Sequence, residues 1–206
     1  FLRFVEFWET YNPKLIETEV HLFSDELKVA GTCDLVCEID GELWIIDFKT
    51  SNHLQTTYDL QTAIYGKCYE ECFGKKADRY GILWLKSSKR KGAKGKIQGK
   101  GWEMYESSRT QEENIDIFLT VKKLFDNNFL GTFIVSRQAV KLMQKNKFGR
   151  IINFSTVAVP LNLEGEAIYA SSKCAVEQFT KIFAKEVSSM GVTVNVIGPT
   201  PIQTDL

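Results

Sequence analysis

The stretch "GTCDLVCEIDGELWIIDFKTS", residues 31–51, decides the fold of the first half of the chain. Asp40-Gly41 between two β-rich runs is typical of a two-residue hairpin turn, because Gly and Asp tolerate the positive φ of a type I′ turn. With this turn, Ile39 faces Glu42. Counting back along both strands then places Asp34 opposite Asp47.

Two aspartates in this register predict a charged cluster. Directly opposed residues have Cβ atoms roughly 5 Å apart, and like charges there destabilise a sheet. Lys49 projects to the same face as Asp47 and supplies a positive charge, because side chains alternate along a strand. The other face is predicted to be the core side, and it carries Cys33, Leu35, Cys37, Trp44, Ile46 and Phe48.

Two carboxylates beside a lysine favour a hard cation such as Mg²⁺ or Mn²⁺, which prefers oxygen ligands. Such an ion can polarise a phosphoryl oxygen and activate water, while a lysine steadies the nucleophile or the developing negative charge. On spacing alone, an Asp-Lys pair on a solvated sheet face is the alternative interpretation.

The order of four motifs resembles the PD-(D/E)xK nuclease superfamily, in particular its RecB-like and phage exonuclease-like members. The motifs are Glu19, Gly31-Thr32-Cys33-Asp34, Ile45-Ile46-Asp47-Phe48-Lys49-Thr50-Ser51 and Gln61-Thr62-Ala63-Ile64-Tyr65. The resemblance covers about residues 1–126 and implies a mixed sheet flanked by helices.

The resemblance also implies roles for individual residues. Asp34, Asp47 and the backbone carbonyl of Phe48 would hold the metal, and Lys49 would be catalytic. The helix carrying Gln61 and Tyr65 would support the site and contact DNA. Asp47 stands where many members have Glu. The upstream acid that completes the metal site is ambiguous among Glu6, Glu17 and Glu19; Glu19 is taken as the additional ligand.

A basic segment lies between the strand-like runs "YGILWLK" and "WEMYES". It reads as a long hairpin loop that binds DNA phosphates, with a flexible solvated loop as the alternative. Its Gly-x-x-x-Gly-x-Gly spacing is not a dinucleotide fingerprint, because strand-like residues rather than a helix follow it. The predicted DNA-binding residues are Lys86, Lys89, Arg90, Lys91, Lys94, Lys96 and Lys100.

From Asn128 onward, long helices alternate with apolar strands, which is typical of a parallel α/β sheet. Tyr169 and Lys173 share a helix face, and an ammonium beside a phenol favours the phenolate needed for proton transfer. The segment resembles the second half of a short-chain dehydrogenase/reductase. In that resemblance Asn128, Ser155, Tyr169 and Lys173 match the catalytic tetrad. Tyr169, Lys173 and Thr204, which lies in "IGPTPIQTDL", would contact NAD(P).

The glycine-rich cofactor half of such a reductase should precede Asn128, but the nuclease-like segment stands there instead. The chain is therefore interpreted as a chimera of class α/β. It has a nuclease-like domain at 1–126 and a truncated, partly Rossmann-like βαβ segment at 128–206. There is no Pro/Gly/Ser linker at the seam, which is more typical of an artificial or mispredicted fusion. Reductase activity is expected only if another chain supplies the cofactor site.

Composition adds little. The chain has 206 residues and a net charge of zero, so no global basic field points to nucleic acid. It has no apolar run long enough to span a membrane and no signal-peptide pattern, so a cytoplasmic enzyme is expected. Its five cysteines are expected to be mostly buried thiols rather than cluster ligands. The sequence leaves open whether the chain forms a homo-oligomer.

Overall fold

The computed structural model describes residues 1–55, 57–87 and 101–200. The chain divides into two compact units; the first comprises Phe1–Leu119, and the second begins at Thr120. Each unit carries its own sheet, five-stranded in the first and two-stranded in the second.

A mixed five-stranded sheet forms the first unit, with the strands in sequence order. All neighbouring strands are antiparallel except β3 and β4, which are parallel and are joined by the crossover helix α2. The elements are α1 Leu2–Tyr11, β1 Lys14–Ser24, β2 Val29–Ile39, β3 Glu42–Lys49, α2 Thr57–Phe73, β4 Arg79–Leu85 and β5 Trp102–Glu106.

The β2–β3 hairpin has the predicted register. Ile39 pairs with Glu42 and Leu35 pairs with Ile46; the regular pairing ends there, one pair before the predicted Asp34–Asp47 pair. Asp40 and Gly41 form the turn with φ values of 52° and 83°, the positive range that the sequence motif requires.

The prediction that one face of this hairpin is a core and the other carries the charges is wrong in one respect. Both faces are packed. On the first, a cluster beneath α2 contains Cys33, Val36 and Ile45. On the second, a cluster shared with α1 contains Leu35, Cys37, Ile39, Trp44, Ile46 and Phe7, with Phe48 packed against it.

Cys33 therefore lies opposite to its expected face. The regular β1–β2 pairs Thr18–Leu35 and Val20–Cys33 flank Glu19, which has a left-handed φ of 53°. Alternation along β2 is interrupted at Asp34, so Cys33 and Val36 contact the same cluster. The period-two rule fails at the position where the motif places its first acid.

The strand-like runs on both sides of the basic segment form the expected hairpin, in which Leu85 pairs with Trp102. Thr110 then begins α3 with a capping box. Its hydroxyl accepts the Glu113 amide at 3.1 Å, and the Glu113 carboxylate accepts the Thr110 amide at 2.8 Å.

The predicted alternation of helix and strand is confirmed in the second unit. The strands β6 and β7 are parallel and joined by α6. No non-helical residue separates α3 from α4; a π-helical turn, Asp126–Leu130, connects them at the predicted seam. The remaining elements are α3 Gln111–Phe125, α4 Gly131–Met143, β6 Gly149–Phe154, α5 Ala158–Leu161, α6 Ala167–Val187 and β7 Val192–Ile197.

The apolar sequences of β6 and β7 suggest buried strands, but only one of their faces is buried. Their inner face packs with α4 and α6 through Val140, Ile151, Val187, Val192 and Val194. On the outer face, Ile152, Phe154 and Ile197 are 52%, 59% and 48% exposed. A parallel sheet is normally covered on both faces, whereas the described residues of this unit cover one.

Within the described part of the chain, no helix is both long enough and apolar enough to cross a bilayer.

Candidate functional site

The first acid of the cluster is fixed by a backbone hydrogen bond. The Phe48 amide donates to Oδ2 of Asp34 at 2.6 Å. This bond takes the place of a ladder bond beyond the Leu35–Ile46 pair, where the regular β2–β3 pairing ends. It holds the Asp34 carboxylate beside the peptide between Asp47 and Phe48.

The second acid, Asp47, is only 3% exposed, and its Oδ2 lies against the ammonium of Lys49 as an ion pair. Oδ2 is thus buried in direct contact with a positive charge. Burial raises the pKa of Asp47 above its ordinary value, Lys49 opposes this rise, and the nearby Asp34 charge adds to it. Lys49 does not fully compensate a buried carboxylate beside a second one.

The helix α2 approaches this pair with Gln61 and Tyr65. Nε2 of Gln61 donates to Oδ1 of Asp47 at 3.3 Å and to the Tyr65 hydroxyl at 2.9 Å. Burial raises the pKa of Tyr65, so the phenol stays protonated at neutral pH. The structure thus brings together five of the predicted residues: Asp34, Asp47, Lys49, Gln61 and Tyr65.

Gly31, the first residue of the Gly-Thr-Cys-Asp motif, makes room for this helix. A Cβ built on Gly31 would lie 2.7 Å from Cε1 of Tyr65. The ring therefore packs directly on the strand backbone, which only glycine permits here.

Sequence reasoning missed Tyr58. The Nζ of Lys49 lies 4.9 Å from the centroid of the Tyr58 ring, within the range of a cation–π contact. Tyr58 precedes Gln61 by three positions and Tyr65 by seven, so all three share one helix face. This spacing was the available signal.

The donor set fits a hard divalent cation at two carboxylates. The Asp34 charge is close enough to raise the pKa of Asp47, and the two carboxylates together with the single ammonium of Lys49 carry a net negative charge when ionised. Cys33 is not part of this set, since burial raises the pKa of its thiol to about 12 and keeps it protonated.

The upstream acids do not complete a larger cluster. Among the described residues, no three His, Cys, Asp or Glu side chains are grouped to hold a metal ion. Glu6 binds Arg3 within α1 at 2.5 Å, and Glu17 and Glu19 are exposed on β1. The assignment of Glu19 as a ligand stays a prediction.

The basic loop falls almost entirely outside the described residues. This applies to Lys89, Arg90, Lys91, Lys94, Lys96 and Lys100, and likewise to Thr204 of the second segment. Lys86 is described; it forms an ion pair with Glu103 at 2.5 Å and lies 5.1 Å from the centroid of the Trp84 ring.

The four reductase-like residues lie around the end of β6 and the first half of α6. Lys173 donates to the Phe154 carbonyl at 3.1 Å, and its Nζ is 5.9 Å from the Tyr169 ring centroid. The Ser155 hydroxyl donates to Glu177 at 2.6 Å. Asn128 donates to the hydroxyl of Ser172 at 3.0 Å. Ser155 and Asn128 are thus bonded to residues outside the tetrad.

Comparison with known proteins finds two families, one for each part of the chain. Residues 2–138 match the PD-(D/E)XK nuclease superfamily, and residues 104–206 match the short chain dehydrogenase family. The chain belongs to the PD-(D/E)XK nuclease superfamily and, in its second part, to the short-chain dehydrogenases. The two matches overlap over 104–138, which contains the end of β5, all of α3, the π-helical turn and the first part of α4.

Curated relatives include two enzymes named 3-oxoacyl-[acyl-carrier-protein] reductase. The one from Synechocystis sp. is 45% identical over 83 residues, which cover 40% of this chain and 34% of the relative. The one from Rickettsia felis is 36% identical over 98 residues, covering 48% and 38%. The chain thus spans about a third of the length of these relatives.

A solved structure of a short-chain dehydrogenase from Streptomyces avermitilis is 27% identical and aligns with a TM-score of 0.40, covering 42% of this chain and 32% of its own. An acetoin dehydrogenase from Enterobacter cloacae is 28% identical, with a TM-score of 0.41 and coverage of 42% and 36%.

Proposed function

We propose that the first unit is a divalent-metal-dependent DNA nuclease that hydrolyses phosphodiester bonds, and that it acts as an exonuclease. One observation carries the proposal. Asp47 is buried close to Asp34, and its Oδ2 lies in direct contact with the ammonium of Lys49. Burying a carboxylate close to a second carboxylate is costly, and a bound dication offsets that cost.

In this proposal, Asp34, Asp47 and the Phe48 carbonyl hold Mg²⁺ or Mn²⁺, with Glu19 as a further ligand. The ion would supply Lewis-acid polarisation of the scissile phosphate and activation of water. Lys49 orients the attacking water and balances the charge that develops on the phosphate. Gln61 holds Oδ1 of Asp47 and is itself oriented by Tyr65.

DNA is the proposed partner, and the cytoplasm is the proposed location. Seven basic residues in the segment from Lys86 to Lys100 would neutralise phosphates on either side of the cut.

A cleavage assay on linear duplex DNA with Mg²⁺ tests the proposal. The Asp47→Asn variant should lose about 100-fold or more in rate, and a chelator should abolish wild-type cleavage. Asp40→Asn is the matched control, because it removes the same charge from an exposed turn residue with a φ of 52°, which Asn tolerates. Cleavage that resists the chelator, or wild-type rates in Asp47→Asn, would contradict the proposal.

A closed circular substrate of the same sequence tests the exonuclease part. The proposal predicts that the circle survives while linear DNA is degraded from its ends. Equal loss of both substrates would mean endonuclease cleavage instead.

A second candidate function is NAD(P)-dependent reduction of a carbonyl substrate by the second unit. The observation that favours it is the grouping of Tyr169, Lys173 and Ser155 where β6 ends. The chain spans about a third of the length of its reductase relatives, and this chemistry is proposed only where a cofactor site is also supplied. A ligand that binds the folded state raises the melting temperature, so millimolar NADPH should do so. An unchanged melting temperature would remove support for this candidate.

A further inference from the structure

Within the part of the chain that the structure describes, the ammonium of Lys49 has two partners, and the second is aromatic. It contacts Oδ2 of Asp47 and lies 4.9 Å from the centroid of the Tyr58 ring. The Lys49 side chain is only 20% exposed, so water does little to solvate its charge. An ammonium in such a place depends on these two partners.

The nuclease proposed above requires Oδ2 of Asp47 for a metal ion. A metal ion and an ammonium cannot both contact one carboxylate oxygen closely, because their like charges repel. Lys49 must therefore give up part of its contact with Asp47 when an ion binds. The partner that remains is the face of the Tyr58 ring, which can hold a cation without carrying a negative charge.

We propose that Tyr58 is a positioning residue that holds the Lys49 ammonium away from Asp47 when a metal ion binds. The inference rests on the proposed function. The ring acts on Lys49 and contacts neither substrate nor metal. Its place on α2, one turn before Gln61, fixes it to the same helix that steadies Oδ1 of Asp47. One helix face thus acts on both oxygens of Asp47: Gln61 bonds Oδ1 directly, and Tyr58 acts on the ammonium that contacts Oδ2.

Metal affinity tests this role independently of activity. Tyr58→Leu removes the ring, and Tyr58→Phe keeps it while removing the hydroxyl. Calorimetric titration with Mn²⁺ should give Tyr58→Phe an affinity within about twofold of wild type. Tyr58→Leu should bind about fivefold more weakly, which corresponds to ~1 kcal/mol of cation–π energy.

A proton NMR measurement without metal supplies the second readout. In wild type and Tyr58→Phe, the ε-protons of Lys49 should be shifted upfield by the ring, and in Tyr58→Leu this shift should vanish. The Lys49 resonance is assigned by its loss in Lys49→Arg.

The outcomes separate the two proposals. Wild-type protein that binds no Mn²⁺ overturns the proposed function and this role together. Wild-type binding with unchanged affinity in Tyr58→Leu overturns the role of Tyr58 alone. Equal weakening in Tyr58→Phe and Tyr58→Leu also overturns it, because the hydroxyl rather than the ring would then be responsible.

Discussion

Replacing Gly31 by Ala should destabilise the first unit through one contact. The added Cβ would lie 2.7 Å from Cε1 of Tyr65, whereas carbon atoms pack at roughly 3.5–4.0 Å. The ring must therefore move by roughly 1 Å, which strains its 2.9 Å hydrogen bond from Gln61. Overpacking of this kind costs about 1–3 kcal/mol. Strand propensity alone would predict the opposite sign, since Ala is favoured over Gly in a strand.

A double-mutant cycle isolates this contact. Urea unfolding followed by tryptophan fluorescence reports the first unit, because all four tryptophans lie within it, at positions 8, 44, 84 and 102. Tyr65→Leu removes the ring, so Gly31→Ala in that background should cost less than about 0.5 kcal/mol. An equal loss of unfolding free energy on Gly31→Ala in both backgrounds would show that the strain does not come from Tyr65.

Three further predictions concern charge, salt and a buried network. Without metal, the free energy of unfolding of wild type should fall relative to Asp47→Asn as pH rises. The raised pKa of Asp47 means that its contribution is complete below the ordinary carboxyl pKa and is lost as pH rises through the folded value. Urea midpoints between about pH 4 and pH 8 measure this, and a pH-independent difference would contradict it. Replacing Lys94, Lys96 and Lys100 by Ser should reduce the slope of log affinity for DNA against log salt by up to about 2.7, measured by fluorescence anisotropy; an unchanged slope would mean that these residues touch no phosphates. In the second unit, Asn153→Ala should lower the free energy of unfolding by about 1–3 kcal/mol, measured by hydrogen exchange of the β6 amides. The reason is that buried Asn153 bonds the hydroxyls of Ser136 and Thr180; the exposed Asn195→Ala is the control, and equal effects of the two would count against the network.

The hairpin register could be predicted because it depends on local chemistry. Asp40-Gly41 specifies the turn, and the turn specifies each pair up to Leu35–Ile46. The resemblance to the nuclease superfamily implied the mixed sheet, and the alternation in the second unit follows from helix and strand periodicity.

The features that were predicted wrongly or missed depend on tertiary contacts. The irregularity at Glu19 and Asp34 places the Cys33 side chain on the opposite face of the sheet from the predicted one. No local sequence pattern predicts this irregularity. The contact between Tyr58 and Lys49 requires the docking of α2 on β3, which periodicity does not specify. The outer face of β6 is exposed although its residues are apolar. Whether such a face is covered depends on tertiary packing, which the strand's own sequence does not specify.

Anomalous diffraction from a crystal of the protein soaked in Mn²⁺ shows whether Asp34 and Asp47 bind a metal ion. We expect a manganese peak coordinated by carboxylate oxygens of both Asp34 and Asp47 and by the Phe48 carbonyl, with Lys49 shifted toward Tyr58. A manganese-soaked crystal with no peak between these two carboxylates, and with Lys49 still paired to Asp47, would contradict it.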